Sequence, residues 1–358
     1  MNWPAPVHDR MKIFLADPSG SITEQVAGWT QEPEQCALSV FESSHQLLRR
    51  AQYERPDVIL LDLTMPRMDG LTMLRALAPS GVPVVMLGAH TMEGARAAMD
   101  ALLAGAADCL VKMRTRDGER IAVTQEEFFR RLRRAIATHS SDAGEETSER
   151  AAWRRLEVDG EGRVAAGALL PDAFPRDGEW TGLALCQPRC VGRMIRAFAH
   201  APERPTGPML TALGLPPRFT RALAETAGRY WNRVVLEARD GETPRRGQWR
   251  VIPGLRLAAF AGERQRPRVE LLPGRRCSPG EALRRQIELA SVTTPESLRL
   301  YLFEQPDAVV NAALERMMMK GATVLLAGNG AGVLKFDPEL RGGRSSHAAF
   351  SGMGRKIA

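Results

Sequence analysis

The first 139 residues alternate short apolar runs with longer amphipathic stretches. The apolar runs have the length of β-strands and lie at 11–17, 37–42, 58–63, 83–89 and 108–112. The stretches between them, for example 91–106, carry apolar residues near i, i+3, i+4 and i+7, which is typical of helices that pack on one face. This alternation predicts an α/β domain with a doubly wound, five-stranded parallel sheet and helices on both of its faces.

A last helix of this domain is predicted over 124–139, where Thr124 and Glu127 form a capping box. The composition then changes: residues 140–178 are polar, rich in Gly and acidic residues, and short of bulky apolar residues, which predicts a linker. Apolar runs of strand length return at 180–186 and continue to 322–328. The pattern therefore predicts a domain over 1–139, a linker over 140–178 and a second α/β domain over 179–358.

The composition is that of an ordinary globular protein, with 44% hydrophobic and 25% charged residues in 358 positions. No apolar run approaches the roughly 20 residues that a membrane-spanning helix needs, and the N-terminus lacks the apolar core of a signal peptide. These features predict a cytoplasmic protein without membrane insertion. The five cysteines are odd in number and mostly scattered, which argues against a disulfide framework.

The charge is divided unevenly between the two predicted domains. Residues 179–358 hold 28 Lys and Arg against 16 Asp and Glu, whereas the whole chain has a net charge of only +7. A basic domain joined to an acidic one could dock onto it or onto an acidic partner. We find no helix-turn-helix, zinc-ligand or RNA-recognition pattern, so nucleic-acid binding through the arginines of 264–285 is only a minor alternative.

Charged residues stand where the predicted strands of the first domain end. Asp17 ends the first strand, Asp62 the third and Lys112 the fifth, and the carboxyl ends of parallel strands meet at one edge of a sheet. An aspartate can accept a phosphoryl group as an acyl phosphate, and a lysine can pair with phosphoryl oxygens. Two carboxylates could also hold Mg²⁺. The strand ends therefore predict a phosphoryl-transfer site.

The segment "LLDLTMPRMDG" at 60–70, together with "AGAADCLVK" at 104–112, resembles the receiver domain of bacterial response regulators. The resemblance implies that Asp62 is the phosphoacceptor, that Lys112 contacts the phosphate, and that Asp17 and Asp62 bind Mg²⁺. It also implies a sensor histidine kinase as a partner.

Two positions depart from the receiver pattern. Pro18 stands where the family has a second acid, which is normally a direct Mg²⁺ ligand. Gly88 stands where the family has Ser or Thr, whose hydroxyl turns toward the phosphate. We therefore expect weakened Mg²⁺ binding, and a receiver that docks without phosphorylation remains an alternative.

The second domain resembles the chemotaxis protein-glutamate methylesterase, often called CheB. Three segments carry this resemblance: "LPPRFTRALAE" at 215–225, "LEARDGETPRRGQWRVIPG" at 236–254 and "ALERMMMKGATVLLA" at 313–327. That family hydrolyses glutamyl methyl esters on chemoreceptors with a Ser-His-Asp triad. The resemblance implies chemoreceptors or other chemosensory proteins as partners.

The triad is not found at the matching positions. Pro188 matches the serine, Gly214 matches the histidine, and the loop of the family's aspartate falls near Asp307, about two places off. We therefore predict a domain that has lost ester hydrolysis and acts by protein binding. An active methylesterase that uses other residues is the alternative.

Another nucleophile could in principle have replaced the lost serine. Cys186 and Cys190 flank its position, and His200 lies one helix away. A thiolate is a competent nucleophile only when a base lowers its pKa, so we expect these cysteines to be buried and catalytically inert.

Overall fold

The structure is a computed structural model, and it describes residues 10–31, 36–65, 68–116, 118–142, 152–158, 164–170, 181–199, 207–261, 268–274, 279–293, 298–303 and 308–328. The elements of the first domain, in chain order, are β1 (Met11–Ala16), α1 (Ser21–Trp29), β2 (Cys36–Phe41), α2 (Ser44–Glu54), β3 (Val58–Asp62), α3 (Gly70–Leu77), β4 (Val84–Ala89), α4 (Met92–Leu103), β5 (Asp108–Thr115), β6 (Gly118–Ile121) and α5 (Gln125–Asp142).

The five predicted parallel strands form, in the order β2-β1-β3-β4-β5. The central strand β3 is buried along its whole length, as expected for a strand covered by helices on both faces. One half of the predicted capping box is observed, since the backbone N–H of Glu127 donates to Thr124 Oγ1 at 3.2 Å. The structure adds a sixth strand, β6, which pairs antiparallel with an extended β5 and which the sequence analysis did not predict.

The elements of the second domain are β7 (Ala152–Val158), β8 (Val164–Leu170), β9 (Thr181–Cys186), α6 (Val191–Ala199), β10 (Met209–Leu213), α7 (Pro217–Trp231), β11 (Val235–Glu237), β12 (Trp249–Val251), β13 (Arg256–Ala261), β14 (Arg268–Pro273), α8 (Pro279–Thr293), β15 (Leu298–Leu302), α9 (Asn311–Met319) and β16 (Thr323–Gly328). Eight strands form one sheet in the order β11-β12-β10-β9-β15-β16-β7-β8, and β13 and β14 form a separate hairpin.

Part of the predicted linker belongs to this second sheet. Strands β7 and β8 lie within 140–178; β7 pairs antiparallel with β16, and β8 forms the edge of the sheet. The low apolar content of this segment suggested a linker, but an edge hairpin gains its hydrogen bonds from the neighbouring strand and needs few bulky residues. Helix α5 also continues three residues beyond the predicted end at 139.

The two domains pack against each other through α4 of the first and α6 and α7 of the second. One continuous cluster of buried apolar side chains runs across this junction and includes Met99 and Leu102 on one side and Ile195 and Phe219 on the other. The strand ends of the first domain are thereby brought toward the second. Among the described residues, no helix is long and apolar enough to cross a bilayer.

Candidate functional site

The loop after β3 places Asp62 at the carboxyl edge of the first sheet. Gly70, which begins α3, packs directly against this loop: a Cβ atom on Gly70 would lie 2.8 Å from Asp62 O and 2.8 Å from Leu63 Cα. Asp69 caps α3 by accepting a hydrogen bond from Thr72 N at 2.9 Å. The Asp-Gly pair of the sequence motif therefore holds the helix start close to the backbone of Asp62.

The carboxylate of Asp62 is 1% exposed and its two oxygens have different partners. Thr64 donates to Oδ1 through both its backbone N–H and its hydroxyl, each at 2.9 Å. Lys112 Nζ donates to Oδ2 at 2.5 Å. The structure thus brings together two of the residues that the sequence predicts for a phosphate site.

Lys112 has a second carboxylate partner, Glu119 of β6, whose Oε2 lies 2.8 Å from Nζ. The lysine side chain is 2% exposed and that of Glu119 is 32% exposed. Burial acts to lower the pKa of Lys112, but the charges and hydrogen bonds of Asp62 and Glu119 outweigh it, so the pKa is raised above its ordinary value. The lysine is therefore a charged, doubly paired group.

Asp17 lies near this edge but is used to hold the start of α1. Its Oδ2 accepts hydrogen bonds from Ile22 N at 2.8 Å and Thr23 N at 2.9 Å, and its Oδ1 accepts from the Ser19 hydroxyl at 2.6 Å. Both oxygens of this carboxylate are engaged by α1 and the turn that precedes it, which also contains Pro18.

The Gly88 position is covered by the second domain. A Cβ atom there would lie 3.3 Å from Cys109 Sγ, 3.4 Å from Ala98 Cβ and 3.6 Å from Phe219 Cε1 on α7. The side chain of His90, two residues further along, stacks on Phe219 with ring centroids 6.5 Å apart. The residue that replaces the expected Ser or Thr is therefore part of the packed domain junction.

Two ion pairs border this junction. Arg96 donates to Glu225 at 2.7 Å, and Arg229 to Asp100 at 3.2 Å. All four side chains are at least one-third exposed, with values from 34% to 65%, so these pairs are screened by solvent.

The second sheet has its own carboxyl edge, where two of the expected triad positions meet. Leu213 pairs with Cys186, so Gly214 and the turn that contains Pro188 follow neighbouring strands. The chain order of the sheet reverses beside β9, which is where ligands gather in such sheets. These two positions therefore lie at one edge of the sheet, but neither residue has a side chain that can act as a nucleophile or base. Asp307 and His200 lie outside the described residues.

The two cysteines at this edge are poor nucleophiles. Both are buried, and burial raises the pKa of Cys186 and of Cys190, so their thiols stay protonated near neutral pH. The thiol of Cys186 donates to the carbonyl oxygen of Gln187 at 3.1 Å.

A cavity of about 670 Å³ separates the two carboxyl edges. It is lined by both domains, with His90, Val111 and Ile121 on one side and Gly214, Pro216 and Ile252 on the other. The first domain therefore stands over the edge of the second sheet where the triad would be expected.

Comparison with known proteins agrees with this architecture. The family model of the response regulator receiver domain matches residues 13–122. A protein-glutamate methylesterase/protein-glutamine glutaminase 2 of Rhizobium johnstonii is 29% identical over 253 residues, covering 68% of each chain. A protein-glutamate methylesterase/protein-glutamine glutaminase of Rhodopseudomonas palustris, of its group 3 operon, is 31% identical over 254 residues, covering 69% of this chain and 66% of that one.

The chain is a CheB-like response regulator. Its receiver domain is followed by a CheB-like methylesterase domain, as the sequence resemblance predicted. The Thermotoga maritima CheB methylesterase catalytic domain is 16% identical, with a TM-score of 0.35, covering 41% of this chain and 78% of that one. A TM-score this low adds no argument to the sequence matches. The chain spans about two thirds of the length of the curated relatives it matches.

Receiver domains typically bind Mg²⁺ at the phosphorylation site. Here the residues fit such a site poorly, because both oxygens of Asp17 accept hydrogen bonds from α1 and its preceding turn, and Pro18 offers no carboxylate. Within the part of the chain that the structure describes, no three His, Cys, Asp or Glu residues are grouped as metal ligands. Binding of Mg²⁺ by Asp17 and Asp62 stays a prediction.

Glu119 is a member of this site that was not predicted from the sequence. The signal that could have revealed it is the Asp-Gly pair at 117–118, because such a pair between alternating residues predicts a hairpin turn. A hairpin after Lys112 would have suggested that a charged residue on the returning strand could reach the lysine.

Proposed function

We propose that this CheB-like response regulator acts by binding chemosensory proteins and does not hydrolyse glutamyl esters. The observation that carries the proposal is the position of Pro188 and Gly214 just after the neighbouring strands β9 and β10, at the carboxyl edge of the second sheet, where hydrolysis would need a nucleophile and a base. The protonated thiols of Cys186 and Cys190 offer no replacement.

In this proposal Asp62 is the phosphoacceptor position of the receiver and a sensor histidine kinase is its upstream partner. Support comes from the receiver match and from the buried contact between Asp62 and Lys112. Chemoreceptors, or other chemosensory proteins, are the downstream partners. The relatives that match this chain are protein-glutamate methylesterases/protein-glutamine glutaminases, and the resemblance places the glutamyl esters that this family hydrolyses on chemoreceptors.

The excess of basic residues in 179–358 would favour an acidic target by electrostatic attraction. Arg245 and Arg246, on the loop between β11 and β12, are exposed and suited to test this. Binding is measured by co-sedimentation of the full chain with vesicles that contain a chemoreceptor, against vesicles of the same lipids alone. We expect receptor-dependent binding that weakens as salt is raised, and roughly tenfold weaker binding of Arg245→Glu/Arg246→Glu.

The matched control is Arg49→Glu/Arg75→Glu, which makes the same charge change on exposed positions of the receiver helices α2 and α3. This variant should bind like the wild type. Equal loss in both double variants, or binding that does not depend on receptor, would contradict a specific basic docking surface.

A second candidate function is favoured by the relatives' names: an active methylesterase or glutaminase. It would need a nucleophile and base other than Pro188 and Gly214. Release of methanol from methylated receptors separates the two candidates.

A further inference from the structure

The phosphoacceptor site contains an acid that the receiver resemblance does not assign. Lys112 Nζ lies 2.5 Å from Asp62 Oδ2 and 2.8 Å from Glu119 Oε2. A lysine ammonium has three N–H donors, so two of the three are directed at carboxylates of the protein. The lysine that would contact a phosphoryl group is already neutralised by its own domain.

The position of Glu119 follows from the register of the β5–β6 hairpin. Lys112 pairs with Ile121, and Glu119 stands two residues before Ile121, so both charged side chains lie on the same face as diagonal neighbours. The hairpin is closed by Gly118 with φ of 112° and by a hydrogen bond from the Thr115 hydroxyl to Gly118 O at 2.9 Å.

Helix α1 fixes the returning strand in place. The side-chain carbonyl of Gln25 accepts from Ile121 N at 2.8 Å, and its amide donates to Ile121 O at 3.3 Å. Glu119 is therefore held diagonally across from Lys112 by hydrogen bonds that do not involve the ion pair itself.

We propose that Glu119 competes with a phosphoryl group for Lys112 and so disfavours phosphorylation of Asp62. The inference rests on the proposed role of Asp62 as phosphoacceptor. A phosphoryl group brings between one and two negative charges. On Asp62 these charges would lie next to a carboxylate that shares the same buried lysine, and like charges in one site repel.

The reaction used as a test is phosphoryl transfer from acetyl phosphate. An oxygen of the Asp62 carboxylate attacks phosphorus, the bond between phosphorus and the acetyl oxygen breaks, and acetate leaves with the bonding electrons. The product is an acyl phosphate on Asp62, read as a gain of one phosphoryl group by intact-mass spectrometry, with Asp62→Asn as the blank.

The decisive variant is Glu119→Gln, which removes the charge and keeps the size of the side chain. Its control is Glu42→Gln, which makes the same charge change at an exposed position after β2. With MgCl₂ in the buffer we expect Glu119→Gln to be phosphorylated roughly tenfold faster than the wild type, the effect of removing one nearby like charge, and Glu42→Gln to match the wild type. Thermal melts of each variant check that it is folded.

A third variant, Pro18→Asp, separates failure of this inference from failure of the Asp62 assignment. Equal rates for wild type and Glu119→Gln would overturn the competition by Glu119 and leave Asp62 as phosphoacceptor. Phosphorylation of Pro18→Asp alone would also overturn the competition by Glu119 and leave Asp62 as phosphoacceptor, since the missing acid at position 18 would then limit phosphorylation. No phosphorylation in any variant would overturn both, while the binding function tested by co-sedimentation would be unaffected.

Discussion

Phe219 is expected to hold the two domains together, and its removal should open the junction. The side chain is 0% exposed and lies between the core of the second domain and the Gly88–His90 segment of the receiver. Replacing a buried Phe by Ala typically costs about 3–5 kcal/mol. The two bordering ion pairs, Arg96–Glu225 and Arg229–Asp100, are partly exposed and each contributes about 0.2–1 kcal/mol.

These free energies predict that removing the Phe219 side chain opens the junction more than removing the two ion pairs does. Phe219→Ala should increase hydrogen exchange in α4 and α6, the helices that face each other across the junction, whereas Glu225→Gln/Asp100→Asn should change it little. Exchange is followed by mass spectrometry on the full chain. The control is Phe128→Ala, a fully buried position in the other core cluster of the receiver, which should destabilise the receiver without first exposing α6.

Faster exchange of α4 and α6 in the ion-pair variant, with both helices still protected in Phe219→Ala, would contradict this prediction. In that case the junction would be held by charge, and its protection would fall steeply as salt is raised.

Three further predictions follow from buried groups. Asp108→Asn should lower the free energy of unfolding by about 3–5 kcal/mol in urea titrations, because it leaves the buried Arg131 with a weakened partner; a loss below about 1 kcal/mol would contradict this. Since the folded-state pKa of Lys112 is raised above 10.5, its ion pairs stabilise the fold fully below that pH and lose their contribution as the pH rises through the higher folded-state pKa. Unfolding titrations above about pH 10.5 should therefore show a decline in stability that Lys112→Met reduces, and an identical decline in that variant would argue against the assignment. Iodoacetamide should leave Cys186 and Cys190 unmodified in the native chain and modify both in urea; rapid native labelling would mean that a reactive thiolate exists at this edge.

The receiver sheet could be predicted from the sequence because its strands are short, apolar and separated by strong helical patterns. The carboxyl-edge rule then placed Asp62 and Lys112 together, and the structure joins them at 2.5 Å. The rule also predicted Asp17 at this edge, but it could not reveal that α1 and the turn before it engage both oxygens of that carboxylate, which depends on the local path of the turn.

The elements that were not predicted owe their position to neighbours distant in sequence. Strand β7 forms on the edge of β16, about 170 residues further along the chain, so local composition suggested a linker. The contact of Glu119 with Lys112 depends on the register of the hairpin, because a shift of one residue would place the Glu119 side chain on the opposite face of the sheet. The contact of Phe219 with the Gly88 position depends on how the two domains pack, which no local sequence pattern predicts.

Loss of ester hydrolysis is tested most directly by measuring turnover at the second sheet edge. The full chain is incubated with chemoreceptors that carry labelled glutamyl methyl esters, and released methanol is counted beside a relative with an intact Ser-His-Asp triad as positive control. We expect methanol release no faster than the blank, although the chain co-sediments with the same receptors. Methanol release that increases with the concentration of the chain would contradict it, and would mean that residues other than Pro188 and Gly214 supply the nucleophile and the base.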